Sequence, residues 1–478
     1  MALTAGPSRN DAPARPAMDR DGLQLRLDQL AARHHVVAAS FGVLDGDEVT
    51  VVATGTANLR SGLAATPETL FQIGSITKVY TATLLMQLVA RGLLDLDAPI
   101  ARALPELRLA DPALTETITP RHLMSHTSGI DGDHFADSGR GDDTVQRYVA
   151  GCAALPQLFA PGTICSYSNA GWVILGRVIE VALGTTWDRA LSENLLGPLG
   201  CERSVTLPEE AILHPVAIGH LPGEGGDLAA PRPTPLWSLS RGLGPAGSIV
   251  ASADDVLRFA RMHLDGGCAG DGTAVLDPEL VRAMQQPQIE LVDHMLGDHW
   301  ALGWFGAGWD GARSVGHDGG TIGQSAYLRL HPDHGVAAVL LTSGGLGRAL
   351  HEDMIGEVFA ERAGVTLRRT PEVPAAPSDT DLEACAGTYE RYGFRYQVSV
   401  AGDGTLTLDP TVTVDEPLLA LAMLPTLRMV PLRGTTFVCH PAGVPEARST
   451  GTFAQFENGR AQWLHIGGRA ARRVAGTA

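Results

Sequence analysis

Lysine is nearly absent from this 478-residue chain: of its 36 Lys and Arg residues, Lys78 is the one lysine. Arginine keeps its proton at any working pH, whereas a desolvated lysine can lose its own and act as a base. A chain that uses arginine wherever a plain positive charge will serve marks Lys78 for chemistry, unless codon bias left one survivor by chance. Long apolar runs are missing as well. No stretch of about 18 apolar residues occurs, which excludes a helical membrane span. The N-terminus, MALTAGPSRNDAPARPAMDRDG, holds Pro, Ala and charges without the apolar core of a signal peptide. The expectation is a disordered tail over 1–20, a cytoplasmic protein and no membrane partner.

Close cysteine pairs are also lacking. Cys152, Cys165, Cys201, Cys268, Cys385 and Cys439 are scattered, which reads as reduced structural thiols. His122 and His126 stand four apart, but Leu-Met-Ser lies between them and no Glu, so this is not a zinc-protease helix. No metal and no cofactor are expected. A net charge of -17 leaves no broad basic face, which argues against a nucleic-acid partner.

What is present divides the chain. After a helical pattern from Leu23 to His34, the runs VVAASFGVLDG and EVTVVATGTAN alternate as antiparallel strands. FQIGSITKVYTATLLMQLVARG then spaces Val79, Leu84, Leu85, Leu88 and Val89 as a helix, with Gly92 placed to end it. Strand signals return at WFGAGW, SVGHDGG, SAYLRLHP and GVAAVLLTSGG. Strands at both ends with helices between them predict an α+β domain over 21–367, one antiparallel sheet covered by helices. RRTPEVPAAPSDTD reads as a Pro-rich linker, 368–382. Beyond it, 383–478 carries short alternating segments such as RYQVSVAG, TTFVCH and AQWLHIGG, which suggest a small antiparallel β-barrel or sandwich.

Three motifs carry the chemistry. Ser75 follows Gly74 at the start of the predicted helix, where free N–H groups and the helix dipole favour an ionised nucleophile and a developing oxyanion. Lys78, three residues on, shares its face and can take the serine's proton. By ordinary serine usage that spacing arises by chance roughly one time in fifteen. The second motif, Tyr167-Ser168-Asn169, precedes an apolar helical stretch. A phenol can relay a proton to a leaving group, and an amide can hold an acyl amide. The third is Ser314-Val-Gly-His317-Asp-Gly319-Gly320, whose glycines allow a ligand backbone to come close. His317 is assigned to the cleft wall and counted with Ser75, Lys78 and Tyr167 as catalytic, or is a structural histidine, and the N–H groups of Ser75 and Gly320 are assigned to an oxyanion hole.

In chain order these motifs read SITK, YSN and HDG, and the set resembles the serine β-lactamase and penicillin-binding-protein superfamily. It most resembles the class C β-lactamase, esterase and D-peptidase branch, where Tyr opens the middle motif. HLMSHTSGI (122–130), GPAGSIVASADDVLRFA (244–260) and GHDGGTIGQSAYLRLHPDHGVAAVLL extend the likeness over about 25–360. The resemblance implies that Ser75 forms an acyl-enzyme and that Lys78 and Tyr167 handle protons. Asn169 and the strand edge at Gly319 then hold the substrate. His126 is expected to hydrogen-bond within the core, and Ser252 to cap the helix that follows it. True β-lactamases of this branch carry Lys-Thr-Gly where this chain has His317-Asp318-Gly319, so antibiotic hydrolysis is not the expected activity.

Within the superfamily the chain is similar to the penicillin-binding-protein-type thioesterases of nonribosomal peptide pathways, in which a β-lactamase-like domain precedes a small lipocalin-like β-domain. That resemblance implies a small peptide or acyl substrate, free or presented on a carrier protein, released as a macrolactam. An esterase or D-aminopeptidase of the same family, and an acyl-binding sensor without turnover, are the other readings. Trp237 is a candidate cleft wall, or an ordinary core or surface tryptophan. Arg469 is a candidate contact for a carboxylate or carrier phosphate, or part of a solvated basic run.

Overall fold

The computed structural model describes residues 17–309, 312–420, 425–445 and 448–474. Most of the expected N-terminal tail therefore lies outside the described residues; Asp19 already caps a helix starting at Arg20. The fold is mixed helix and sheet, as the order of sequence patterns predicts. The described residues form two compact units. Unit 1 takes residues up to Leu94, Val178–Gln286 and Leu302–Arg368; unit 2 takes Asp95–Arg177, Pro287–Ala301 and Arg369 onward. Unit 2 thus gathers 95–177 and 287–301 with the C-terminal strands, and its last segment begins inside the expected 368–382 linker.

Unit 1 is an antiparallel sheet with helices on it. Its main elements are α1 (Arg20–Arg33), β1 (Ala38–Asp45), β2 (Glu48–Asn58), α2 (Thr77–Ala90) and α3 (Ala253–Leu264). They continue as β3 (Phe305–Trp309), β4 (Ala312–Thr321), β5 (Gln324–His331), β6 (Val336–Ser343) and α4 (Gly347–Ala363). The strands run in the order β2-β1-β6-β5-β4-β3, with Phe41 opposite Leu340, Leu340 opposite Tyr327 and Tyr327 opposite Asp318. Every residue of β6 is buried. A strand that reads VAAVLLTS has apolar side chains for both faces, so it belongs in the middle of a sheet covered on both sides. One face packs Phe41 and Leu340 against Leu27 and Leu30 of α1 and Leu350, Met354 and Phe359 of α4. Helix α3 packs on β1 and β6, and Ser252 caps it by accepting the Asp255 N–H at 3.2 Å.

Unit 2 holds the barrel. β7 (Gly387–Arg391), β8 (Phe394–Val400), β9 (Leu406–Val412), β10 (Leu427–Arg433), β11 (Thr436–Pro441), β12 (Ser449–Glu457), β13 (Arg460–Ile466) and β14 (Arg469–Val474) each pair with the next, and β14 closes on β7. Between the two all-β forms the sequence left open, closure settles for the barrel, and it removes the edge strands that a small open sheet would expose. Inward positions are filled by Tyr389, Phe394, Tyr396, Leu406, Met429, Phe437, Phe453 and Leu464. The alternation over Phe394–Ser399, with Phe394, Tyr396 and Val398 buried, is what a barrel wall with a filled interior requires.

Candidate active site

In unit 1, Ser75 sits in a 3₁₀ turn, Gly74–Ile76, that runs directly into α2. Helix α2 is buried on nearly every side, so its first turn has protein around it and Ser75 alone of that turn is half-exposed. Lys78 is fully buried. Its Nζ donates to Ser75 Oγ at 2.9 Å and to the Ala246 carbonyl at 2.6 Å. The segment that supplies this carbonyl is also tied to α2 by Thr81 Oγ1, which donates to the Pro245 carbonyl at 2.8 Å. Thus GPAG at 244–247 forms a floor under the lysine.

Strand β4 lies against the nucleophile turn, and glycine makes that approach possible. A Cβ on Gly319 would stand 1.9 Å from the Ile73 carbonyl oxygen and 3.2 Å from Ser75 N; one on Gly74 (φ +52°) would stand 2.6 Å from Gly320 N. No other residue fits at 74 or 319. The Gly320 residue itself is exposed, next to the nucleophile turn. Pairing of β4 with β3 ends at Gly316, so beyond it the edge that carries Gly319 and Gly320 is not taken up by β3.

His317 is buried, and its Nδ1–H donates to the Asp318 carbonyl at 2.6 Å. Burial first, and then the nearby Lys78 charge, bring its pKa down to about 3. It is a neutral imidazole throughout the neutral range. Trp237 is half-buried: its Nε1 donates to the Ala217 carbonyl at 3.0 Å, and its own carbonyl accepts from Gln72 Nε2, three residues before Ser75. It braces the strand that leads into the nucleophile turn.

In unit 2, Tyr167 is 7% exposed. Its ring stacks on His126 (centroids 4.2 Å apart) and meets the edge of Trp300. His126 takes a left-handed backbone conformation (φ +57°), accepts the Ser168 N–H at Nδ1 (2.9 Å) and offers its carbonyl to Ser166 N–H (2.9 Å). It therefore has the core hydrogen-bonding role expected of it, and it shapes the turn that presents Tyr167 and Asn169. Asn169 opens the helix Asn169–Leu183 and donates through Nδ2 to Asp133 Oδ1 at 2.8 Å.

Asp133 is a residue that sequence reasoning missed. It is buried, and besides Asn169 it holds Arg391 (2.8 Å) and Arg469 (3.0 Å), both from barrel strands. Burial alone would raise its pKa, but the guanidiniums of Arg469 and Arg391 hold it down to about 2. The Arg469 guanidinium also lies 4.4 Å over the Tyr167 ring, and the backbone beside it accepts Tyr167 N–H at Gly468 O (2.9 Å). Arg469 is thus not part of a solvated run; its partners are Asp133 and Tyr167. Nothing local to the segment Asp131-Gly-Asp-His-Phe announces these partners, which lie 258 and 336 residues away.

Unit 1 thus brings together Ser75, Lys78, His317, Gly319, Gly320 and, through Gln72, Trp237; unit 2 brings together Tyr167, Asn169 and Arg469. All six cysteines are unpaired thiols. Among the described residues no group of side chains forms a metal-binding cluster, and no helix is long and apolar enough to cross a membrane.

Comparison with known proteins gives the chain's family. The family model described as Beta-lactamase matches residues 23–359. The chain is 45% identical to penicillin-binding protein 4 of Amycolatopsis lactamdurans over 77% of this chain and 97% of that one. It is 29% identical to esterase EstB of Burkholderia gladioli, covering 69% of this chain and 93% of the esterase. Among solved structures, SurE matches with a TM-score of 0.75 at 32% identity, over 95% of this chain and 99% of SurE; SurE with D-Leu matches at 0.73. With its Ser-x-x-Lys pair on a buried helix, the Tyr-x-Asn turn and the glycine edge of β4, the chain belongs to the β-lactamase family of serine hydrolases, alongside the penicillin-binding proteins.

Proposed function

We propose that this chain takes a peptidyl thioester onto Ser75 and releases it by closing a macrolactam. The observation that carries the acyl-transfer step is the 2.9 Å bond between Lys78 Nζ and Ser75 Oγ, with the lysine wholly buried. In the proposed reaction Ser75 Oγ attacks the acyl carbon and Lys78 receives its proton. The N–H groups of Ser75 and Gly320 hold the oxyanion, and the thiol leaves with a proton relayed by Tyr167. The seryl ester is then attacked by the amine at the far end of the same peptide. Asn169 and the Gly319 edge hold the acyl chain, Trp237 walls it, and Arg469 stands beside Tyr167. A cytoplasmic setting and a carrier-borne substrate belong to the same proposal.

Two observations favour a peptide substrate. The likeness to SurE runs through the barrel as well as the sheet, and SurE has been solved with D-Leu, which supports an acyl group ending in a D-residue. His317, neutral and buried, supplies no fixed positive charge where β-lactamases of this branch place a lysine, so a β-lactam carboxylate has no cation to meet there. EstB, whose whole length is nearly covered, supports the second reading: the same acyl-enzyme resolved by water. The acyl-binding sensor predicts an adduct that never turns over.

Intact-protein mass spectrometry with a small peptidyl thioester ending in a D-residue separates the three. An adduct on Ser75 resolving to a cyclic peptide is the expected result. An adduct resolving only to linear acid assigns the chain to the hydrolases, and a persistent adduct to the sensor reading.

A further inference from the structure

Strand β4 carries its proposed oxyanion donor at one end and a buried charge beside it. Gly319 packs against Ile73 and Ser75, and His317 lies close enough to Lys78 to feel its charge. Asp318, between the two, points by strand alternation to the opposite face. There Arg329 of β5 and Arg348 of α4 hold its carboxylate at 2.6 and 3.0 Å. Gly316, on the same face two residues back, makes the first of these possible. A Cβ at 316 would lie 2.7 Å from Arg329 Cδ, so the arginine stem crosses a position kept free of side chain. The same guanidinium lies 4.8 Å over the Phe305 ring. Arg329 is 4% exposed and Asp318 15%.

We propose that Asp318 is a positioning residue: gripped by Arg329 and Arg348, it sets the depth of the His317–Gly320 strand end, and through it the place of the Gly320 N–H over Ser75. The inference rests on the reading of Gly320 as an oxyanion donor. The need for such an anchor follows from the rest of the strand. Beyond Gly316 the β3 ladder has ended, and Gly319 and Gly320 have no side chains with which to pack. A glycine-rich strand end paired to β5 alone is soft. Close contact with Ile73 limits its motion toward the nucleophile, but contact cannot pull it back. The two ion pairs on the other face do so. The Asp318 carbonyl also accepts the His317 Nδ1–H, so the same residue sets the tautomer and tilt of that ring.

The test uses the full chain and a fluorophosphonate, in which Ser75 Oγ displaces fluoride from phosphorus, together with a p-nitrophenyl ester and a boronic acid whose tetrahedral adduct mimics the oxyanion. Asp318→Asn should slow phosphonylation of Ser75 and lower kcat by about 10–100-fold, as a displacement of about 1 Å would. Boronate affinity should fall by the same factor while KM stays near the wild-type value. Arg348→Gln, at a side chain already 28% exposed, should fold and lose less in the same direction. Wild-type phosphonylation and boronate affinity in a folded Asp318→Asn chain overturn the inference, as does a loss that merely tracks the folded fraction. If Asp318→Asn fails to fold, Arg348→Gln decides by the same readouts. A wild-type chain that is not phosphonylated at Ser75 instead overturns the parent reading.

Discussion

Asp318 in unit 1 and Asp133 in unit 2 are the same device built from different distances. Each is a carboxylate taken out of water and set between two guanidiniums, Arg329 and Arg348 for one, Arg391 and Arg469 for the other. Burial would push both carboxyls up, and in both the arginines win, holding Asp133 at about 2 and Asp318 lower still. Each stands beside a motif: Asp318 lies inside His-Asp-Gly, and Asp133 touches Asn169 and, through Arg469, the face of Tyr167. Their partners differ. Those of Asp318 come from the adjoining strand and the helix that follows β6, so the sheet register already delivers them. Those of Asp133 come from the far end of the chain. The Tyr-x-Asn turn is therefore held by residues of the barrel.

The largest expected effect tests what both devices serve. Ser75→Ala and Lys78→Ala should each lower turnover by about 10⁴-fold or more, and the double variant should be scarcely worse than either, because the two act as a unit. Near-normal kcat/KM in Lys78→Ala would sink the mechanism. Next comes stability. Asp133→Ala leaves two guanidiniums facing a buried gap, one of them 8% exposed, and should cost about 3–5 kcal/mol in urea unfolding. Asp318→Ala should cost about as much, since its two arginines are buried to the same degree, 4% and 28% exposed against 8% and 27%. A large difference between the two costs would break the comparison.

The third test sets Asp133 against its neighbour Asp131, whose carboxyl has no guanidinium so close and which burial raises to about 6. An acid whose folded pKa is raised loses stability as pH climbs from its unfolded value near 4 to about 6. Asp131→Asn should therefore gain on the order of 2 kcal/mol at pH 7 and nothing below pH 4. Asp133, depressed, has the opposite sign: its contribution is complete above about pH 4 and is lost as pH falls through about 2. Unfolding of both variants followed across pH 2–7 checks the crossing. The smallest effect is a control remote from either aspartate: Ser252→Ala removes the α3 cap and should lower stability by about 1 kcal/mol with kcat/KM unchanged.

Much of this was legible in the residues. The single lysine three places after Ser75 pointed to the Nζ–Oγ contact, because spacing on one helix is local physics. Gly319 marked close backbone approach, and short alternating segments such as RYQVSVAG marked a small antiparallel barrel or sandwich. His317 was placed at a cleft wall, and the structure adds that burial keeps it neutral. Trp237 and Arg469 each stood between a functional and an ordinary reading, since one aromatic or one cation in a loop carries no partner with it. Asp133 and Arg391 were not singled out at all. The chain offers many arginines, and an ion pair across 258 residues leaves no periodic trace.

The sequence by itself determined the elements and the chemistry that depends on neighbours: the helix that carries Ser75 and Lys78, the glycine edge of β4 and the alternating strands at the C-terminus. Only the tertiary structure decided that those last strands close into a barrel, that Arg329 crosses Gly316 to reach Asp318, and that Asp133 binds two barrel arginines. Local conformation follows from a few adjacent side chains. The choice among distant partners is made by packing, which settles which buried charge meets which guanidinium only when the chain is folded.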